Sequence, residues 1–182
     1  MLHPAIFLDR DGVIIENCPA YVRAWSDVQI FEQALTALAR LTQSQFKIVI
    51  VTNQSAVGRG IITFEQAHSI NTRLVTTIVQ AGGRVDGVYM CPHEPKDQCA
   101  CRKPKPGLLL QAAKDLSLDL GQSIMIGDAI SDLLAGRYAG LHKAALVRTG
   151  RGSDQIQLPI PPELDNFSVY ETLLDAIIAL IQ

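Results

Sequence analysis

A chain of 182 residues that is 48% hydrophobic and 19% charged, with a net charge of −2, can bury a sizeable core and is too apolar to be disordered. Its Lys and Arg are scattered, so no surface for a nucleic-acid backbone is announced, and no apolar run nears the ~20 residues that span a bilayer. No basic stretch precedes an apolar segment at the start, so the expectation is a cytoplasmic, monomeric protein of one domain over residues 1–182, with neither nucleic-acid nor membrane partners.

The first apolar run, Ala5 to Leu8, reads as a buried strand, and Gly12 permits a sharp turn beyond it. Asp9 and Asp11 are thereby left at a strand tip. A loop over 16–30, with Pro19, Tyr21 and Trp25, leads to a helix in which Ala34, Leu35, Leu38 and Leu41 recur at spacings of three and four. The β-branched run at 46–51 reads as a strand covered on both faces, ending in Thr52-Asn53-Gln54-Ser55. Thr63 and Gln66 form a capping box for a helix to about Gln80. Gly82-Gly83 ends it, and a third strand follows at 85–90. A proline-rich loop at 91–106 precedes a helix at 107–118, a strand at 123–126 closed by Gly127-Asp128, a helix at 129–138 and a strand at 143–147. Residues 150–166 read as an irregular tail before a C-terminal helix at 169–181.

Strands alternating with helices imply an α/β fold, a Rossmann-like parallel sheet flanked by helices, in which ligands gather at the carboxyl ends of the strands. Asp9, Asp11, Thr52, Asn53, the loop from Cys91 and Asp128 all fall just past strand ends. Asp9, Asp11 and Asp128 make a hard oxygen environment that suits magnesium better than zinc. Asp128 reads equally well as a helix N-cap, and Asp132, inside the helix, is read as structural. Thr52 and Asn53 offer donors to a phosphate. Arg102-Lys103, just ahead of a helix N-terminus, makes sense if an anion lies between them and the positive end of the helix, and otherwise is a solvated basic turn. Cys91, His93, Cys99 and Cys101 supply three thiols and one imidazole within eleven residues. That set has the composition of a closed structural zinc site, which would supply the loop with folding free energy that apolar burial cannot. Cys18, His3, His68 and His142 are read as ordinary.

Asp9 and Asp11, Thr52, Lys103 and Gly127-Asp128 occur in the order of the four motifs of the haloacid dehalogenase-like phosphohydrolases, which the chain resembles. FLDRDG, VTNQS, CPH, CACRKPKPG, IGD and VRTG together are similar to the family of D-glycero-D-manno-heptose 1,7-bisphosphate 7-phosphatases, with the histidinol-phosphate phosphatases second; the likeness is weakest beyond Arg151. The resemblance implies a phosphoric monoester hydrolase of heptose biosynthesis that acts on a small phosphorylated sugar. Asp9 would attack phosphorus and Asp11 would move the proton. Mg2+ would be held by Asp9, the backbone carbonyl of Asp11 and Asp128, and Zn2+ would be structural. Thr52 and Lys103 would stabilise the phosphoryl group. Arg102 would select the substrate, Asn53, Gln54 and Ser55 would line its pocket, and Asn17 and Tyr21 would form a wall. The stretch between Thr52 and Cys91 holds little more than a helix and a strand, which implies a capless enzyme whose zinc loop partly covers the site. Val13 stands where many relatives have threonine, and it cannot donate a hydrogen bond. A receiver domain, a distant alternative, would carry its phosphoryl-accepting Asp in mid-chain and has no use for a zinc loop. A zinc-stabilised nucleic-acid binder would need a basic face.

Overall fold

The computed structural model describes residues 2–181. Six parallel strands, β1 (Ala5–Leu8), β2 (Lys47–Asn53), β3 (Gly87–Cys91), β4 (Ile124–Gly127), β5 (Lys143–Val147) and β6 (Ser168–Tyr170), form one sheet in the order β3-β2-β1-β4-β5-β6. β1 and β4 lie at the centre, paired from Ile6 with Ile124 to Leu8 with Ile126. The order turns back on itself between them, and a crevice opens beyond the carboxyl ends of strands at such a reversal.

Residues alternate between the two faces of each strand. Ile6, Leu8, Ile48, Ile50, Ile124, Ile126, Ala145 and Val147 face one layer, made by α1 (Glu32–Arg40), α3 (Phe64–Gln80) and α7 (Leu173–Leu180). Ala5, Phe7, Val49, Val51 and Met125 face the other, against α4 (Gly107–Leu116) and α5 (Ile130–Ala139). A sheet buried on both sides explains why its central strands read as unbroken apolar runs. Between β2 and β3 the chain forms the short α2 (Ser55–Gly58) and α3, so among the described residues no cap domain intervenes. The capping box between Thr63 and Gln66 is formed as expected. No helix among the described residues is long and apolar enough to cross a membrane.

Two expectations near the C-terminus are corrected. Residues 168–170 are not helical: they form β6, whose Val169 and Tyr170 pair with Leu146 and Val147 of β5. The helix begins at Leu173, where the Thr172 hydroxyl and the Asp175 carboxylate cap each other's backbone. Apolar content alone does not separate a three-residue edge strand from a helix start. The tail at 150–166 also contains one short helix, α6 (Gly152–Gln155), and the loop at 16–30 one 3-10 turn, Trp25–Asp27.

Leu38 carries α1 onto the sheet and is fully buried. Leu38→Ala is expected to cost about 3 kcal/mol, from lost transfer energy and the cavity left behind. Urea unfolding with an unchanged m-value measures it.

Candidate active site

Four carboxylates converge at the carboxyl end of the central strands. Asp9 follows β1 and its amide donates to the Ile126 carbonyl of β4, so the two strand tips are tied together at 3.1 Å. Oδ1 of Asp9 lies 2.8 Å from Lys103 Nζ, whose other partners are Asp132 Oδ1 at 2.8 Å and the Val51 carbonyl at 2.8 Å. Burial pushes the Asp9 carboxyl up to about 7; Lys103 opposes the rise, and Asp132, Asp128 and Asp11 add to it. Burial also disfavours the Lys103 ammonium, yet Asp132 and Asp9 outweigh it and hold Lys103 above its ordinary range.

Asp128, at the tip of β4, is fully buried. Its Oδ2 accepts from Asn17 Nδ2 at 2.8 Å and from the Arg151 amide at 2.9 Å, and its Oδ1 lies 3.1 Å from Arg151 Nη2. Gly12, at φ +85°, passes so close that a Cβ there would collide with Oδ2 of Asp128, and a Cβ at Gly150 would meet the same oxygen. One ligand atom each from Asp9, Asp128 and Asp132 lies within 4.8 Å of the others. Asp132 is already engaged by Lys103 and by the Ala129 amide at 3.0 Å. Asp9 and Asp128 are therefore the carboxylates best placed for a divalent cation, and hard oxygen donors of this kind fit magnesium.

Asp11 turns a different way. Its Oδ2 lies 2.9 Å from Arg10 Nη2 and its Oδ1 3.0 Å, while Gln54 Nε2 donates to Oδ2 at 2.9 Å. Thr52, fully buried, donates to the same Oδ2 at 3.5 Å and accepts from Gln54 Nε2 at 2.9 Å. Asn53 clamps the backbone of Lys103: its amide nitrogen donates to the Lys103 carbonyl and its oxygen accepts from the Lys103 amide, both at 3.1 Å. A cleft of about 570 Å³ opens over this array, lined by Asp9, Asp11, Lys103, Asp132 and Arg151 together with Asn53, Gln54, Ser55 and Arg102. Asn17, Cys18, Pro19, Tyr21 and Val22 of the loop after Gly12 line it as well. Tyr21 holds φ at 64°, a left-handed conformation that strains a non-glycine residue.

Cys91, His93, Cys99 and Cys101 bring their ligand atoms within 4.8 Å of one another. The separations include Cys91 to Cys99 at 3.6 Å, Cys91 Sγ to His93 Nδ1 at 3.6 Å and Cys101 to Cys99 at 3.4 Å, close to the edges of a tetrahedron with bonds of about 2.3 Å. None of the cysteines is in a disulfide. Against the upward push of burial, hydrogen bonds from Cys101, the Arg102 backbone and Cys91 pull the Cys99 thiol down to about 7. The cluster fits a structural zinc site. Its loop is tied to β2 and α2 through Gln54 N to Cys91 O at 2.7 Å and Gly58 N to Pro92 O at 2.8 Å, and Arg102 Nη1 donates to the His93 carbonyl at 3.2 Å.

Residues 100–176 match the HAD-hydrolase-like family model. The D-glycero-beta-D-manno-heptose-1,7-bisphosphate 7-phosphatase of Yersinia pestis is 39% identical over 155 residues, covering 81% of this chain and 82% of that protein. The enzyme of the same name from Haemophilus influenzae is 36% identical over 98% of this chain and 95% of its own. The chain belongs to this phosphatase family. Among solved structures, the D,D-heptose 1.7-bisphosphate phosphatase from B. bronchiseptica, complexed with magnesium and phosphate, is 36% identical with a TM-score of 0.91 over 98% of each chain.

Within the family fold, several contacts of the site have no counterpart in the sequence reading. Asp132 is a helix cap, as read, and is also the second anchor of Lys103. Its position one turn beyond Asp128 on α5 was the available signal. Asp128 itself does not cap α5; Ala129 occupies the N-cap position. Arg151 follows the tip of β5, so the carboxyl-end rule that picked out the other tips reaches it as well. Arg10 carries no such signal, because an Arg between two Asp residues on a turn reads as solvated, whereas here it is 1% exposed. Cys18, read as ordinary, lines the cleft.

Protein purified without chelator is expected to carry one zinc per chain by plasma mass spectrometry. Cys99→Ser should lose that zinc and lower the thermal midpoint. A full complement of zinc in the variant would contradict the ligand set.

Proposed function

We propose that this chain is a magnesium-dependent phosphomonoesterase that removes the 7-phosphate of D-glycero-beta-D-manno-heptose 1,7-bisphosphate through an aspartyl-phosphate. The observation that carries the reading is Asp9: a buried carboxylate at the central strand tip, open to the cleft and 2.8 Å from a lysine that Asp132 holds in place. The names carried by similar proteins support this substrate and its beta anomer.

Asp9 attacks phosphorus in line and forms the acyl phosphate, and Asp11 gives a proton to the departing sugar oxygen. In the second half Asp11 takes a proton from the water that hydrolyses the acyl phosphate. Lys103, which lines the cleft, faces the phosphoryl oxygens and offsets their charge, while the buried Thr52 hydroxyl supports Asp11 and Gln54 beside it. Magnesium, when bound, screens the nucleophile from the phosphate dianion; Asp9, Asp128 and the backbone carbonyl of Asp11 would hold it, with Asn17 orienting Asp128. Arg102, which lines the cleft, would meet the 1-phosphate. Asn53, Gln54, Ser55 and Tyr21 bound the space for the sugar. All these groups come from one chain, which fits a monomer, and four free cysteines fit the reducing cytoplasm.

Asp9→Asn is expected to abolish phosphate release while circular dichroism and zinc content stay as in the parent; near-native turnover would overturn the nucleophile assignment. Comparing kcat/KM for the two anomers of heptose 1,7-bisphosphate and for histidinol phosphate tests the substrate, with the beta anomer expected to be preferred. A higher kcat/KM for histidinol phosphate would replace the heptose reading. Light scattering at the monomer mass is expected for the holoprotein.

A further inference from the structure

Arg10 is the largest fully buried side chain among the described residues, yet it does not line the cleft. Its guanidinium forks onto Asp11, with Nε 3.1 Å from Oδ2 and Nη2 2.9 Å from Oδ2 and 3.0 Å from Oδ1. Nη1 donates to Asn71 Oδ1 at 2.8 Å. Asn71 lies on α3, is 5% exposed, and points its own amide nitrogen at Met90 Sδ at 3.7 Å. Among the described residues Asp11 is the one carboxylate within ion-pair distance of Arg10. A buried guanidinium is costly to leave unpaired, so the fork onto the partly exposed Asp11 holds both groups in place. A planar guanidinium also sets direction as well as charge, which a lysine cannot do.

We propose that Arg10, braced by Asn71, is a positioning residue for Asp11: it aims the carboxyl at the cleft and offsets the charge that appears on it when its proton leaves. The proposal rests on the phosphatase reading of the site. In the step concerned, an Asp9 oxygen bonds to phosphorus and the bond from phosphorus to the sugar oxygen breaks, its electron pair staying on that oxygen. The same oxygen takes the proton from Asp11, which becomes a carboxylate facing Arg10. Arg10 does not line the cleft and acts through Asp11. Its effect therefore scales with how much the leaving group needs a proton.

The test compares kcat/KM for heptose 1,7-bisphosphate, whose alkoxide must be protonated, with kcat/KM for 4-nitrophenyl phosphate, whose phenolate leaves without a proton. The variants are Arg10→Met, Arg10→Lys, Asn71→Leu and, as reference, Asp11→Asn, all zinc-loaded and with magnesium. The ratio of the two values cancels any loss of folded enzyme, so a poorly folding Arg10→Met still reports, and Asn71→Leu tests the brace without touching the catalytic turn. Arg10→Met is expected to lower the value for the sugar phosphate by about 10² and for the aryl phosphate by less than about threefold, within the range of a lost general acid. Arg10→Lys and Asn71→Leu should show the same selectivity at smaller size, through kcat rather than KM. Equal losses on both substrates in the Arg10 variants, with Asp11→Asn still selective, would overturn the positioning role alone. Equal losses in Asp11→Asn would overturn the proton-donor reading beneath it.

Discussion

Four aspartates held at one end of a parallel sheet repel one another, and the rest of the site is arranged around that repulsion. A like-charged pair 4 Å apart costs about 4 kcal/mol at an effective dielectric of about 20. Burial first, and then this crowding, raise the Asp9 carboxyl to about 7. Three cations answer it from three directions. Lys103 bridges Asp9 and Asp132, Arg151 lies against Asp128, and Arg10 forks onto Asp11. Each pairing gives an acid a distinct environment, and distinct environments are how chemically identical groups acquire different tasks.

The sheet delivers those acids and the loops deliver the cations. β1 and β4 are adjacent, so Asp9 and Asp128 come together although more than a hundred residues separate them in sequence. Lys103 arrives from the loop that carries the cysteine cluster and is held there by its own ammonium contacts and by the clamp of Asn53 on its backbone. Cys101 lies two positions before Lys103, and Arg102 between them bonds back to His93. The metal-ligand loop and the cleft-lining cations Arg102 and Lys103 are thus one piece of structure. Zinc binding, by fixing the loop's shape, also bears on where Arg102 and Lys103 stand.

The loop at 17–22 follows another logic. Residues 17–22 carry no regular secondary structure and include a strained Tyr21. The loop is nevertheless anchored, because Asn17 bonds to Asp128 and Val22 is buried among the core residues of one sheet face. Farther along, Trp25 lies under the Arg73 guanidinium at 4.7 Å, tying the loop to α3. Among the described residues no cap domain intervenes, so this loop and the basic end of the cysteine loop help line a cleft that no added domain covers.

Much of this was legible in the sequence. Unbroken apolar strands between amphipathic helices determined a parallel sheet, and acids, hydroxyls and amides at the strand ends determined where a site would form. The spacing of three thiols and an imidazole pointed to a metal loop, because so many soft ligands in so short a span have no packing explanation. The edge strand β6 was not legible, since Ser168 to Tyr170 become a strand only through pairing with β5. Nor were the partners of the acids, because hydrogen bonds between Arg10 and Asn71, or between Asn17 and Asp128, join positions that sequence spacing does not relate. The sequence by itself determined which groups lie at the carboxyl end of the sheet, through local periodicity and turn chemistry. Only the tertiary structure decided which cation serves which carboxylate, because that choice depends on the strand order and on the low dielectric that burial creates.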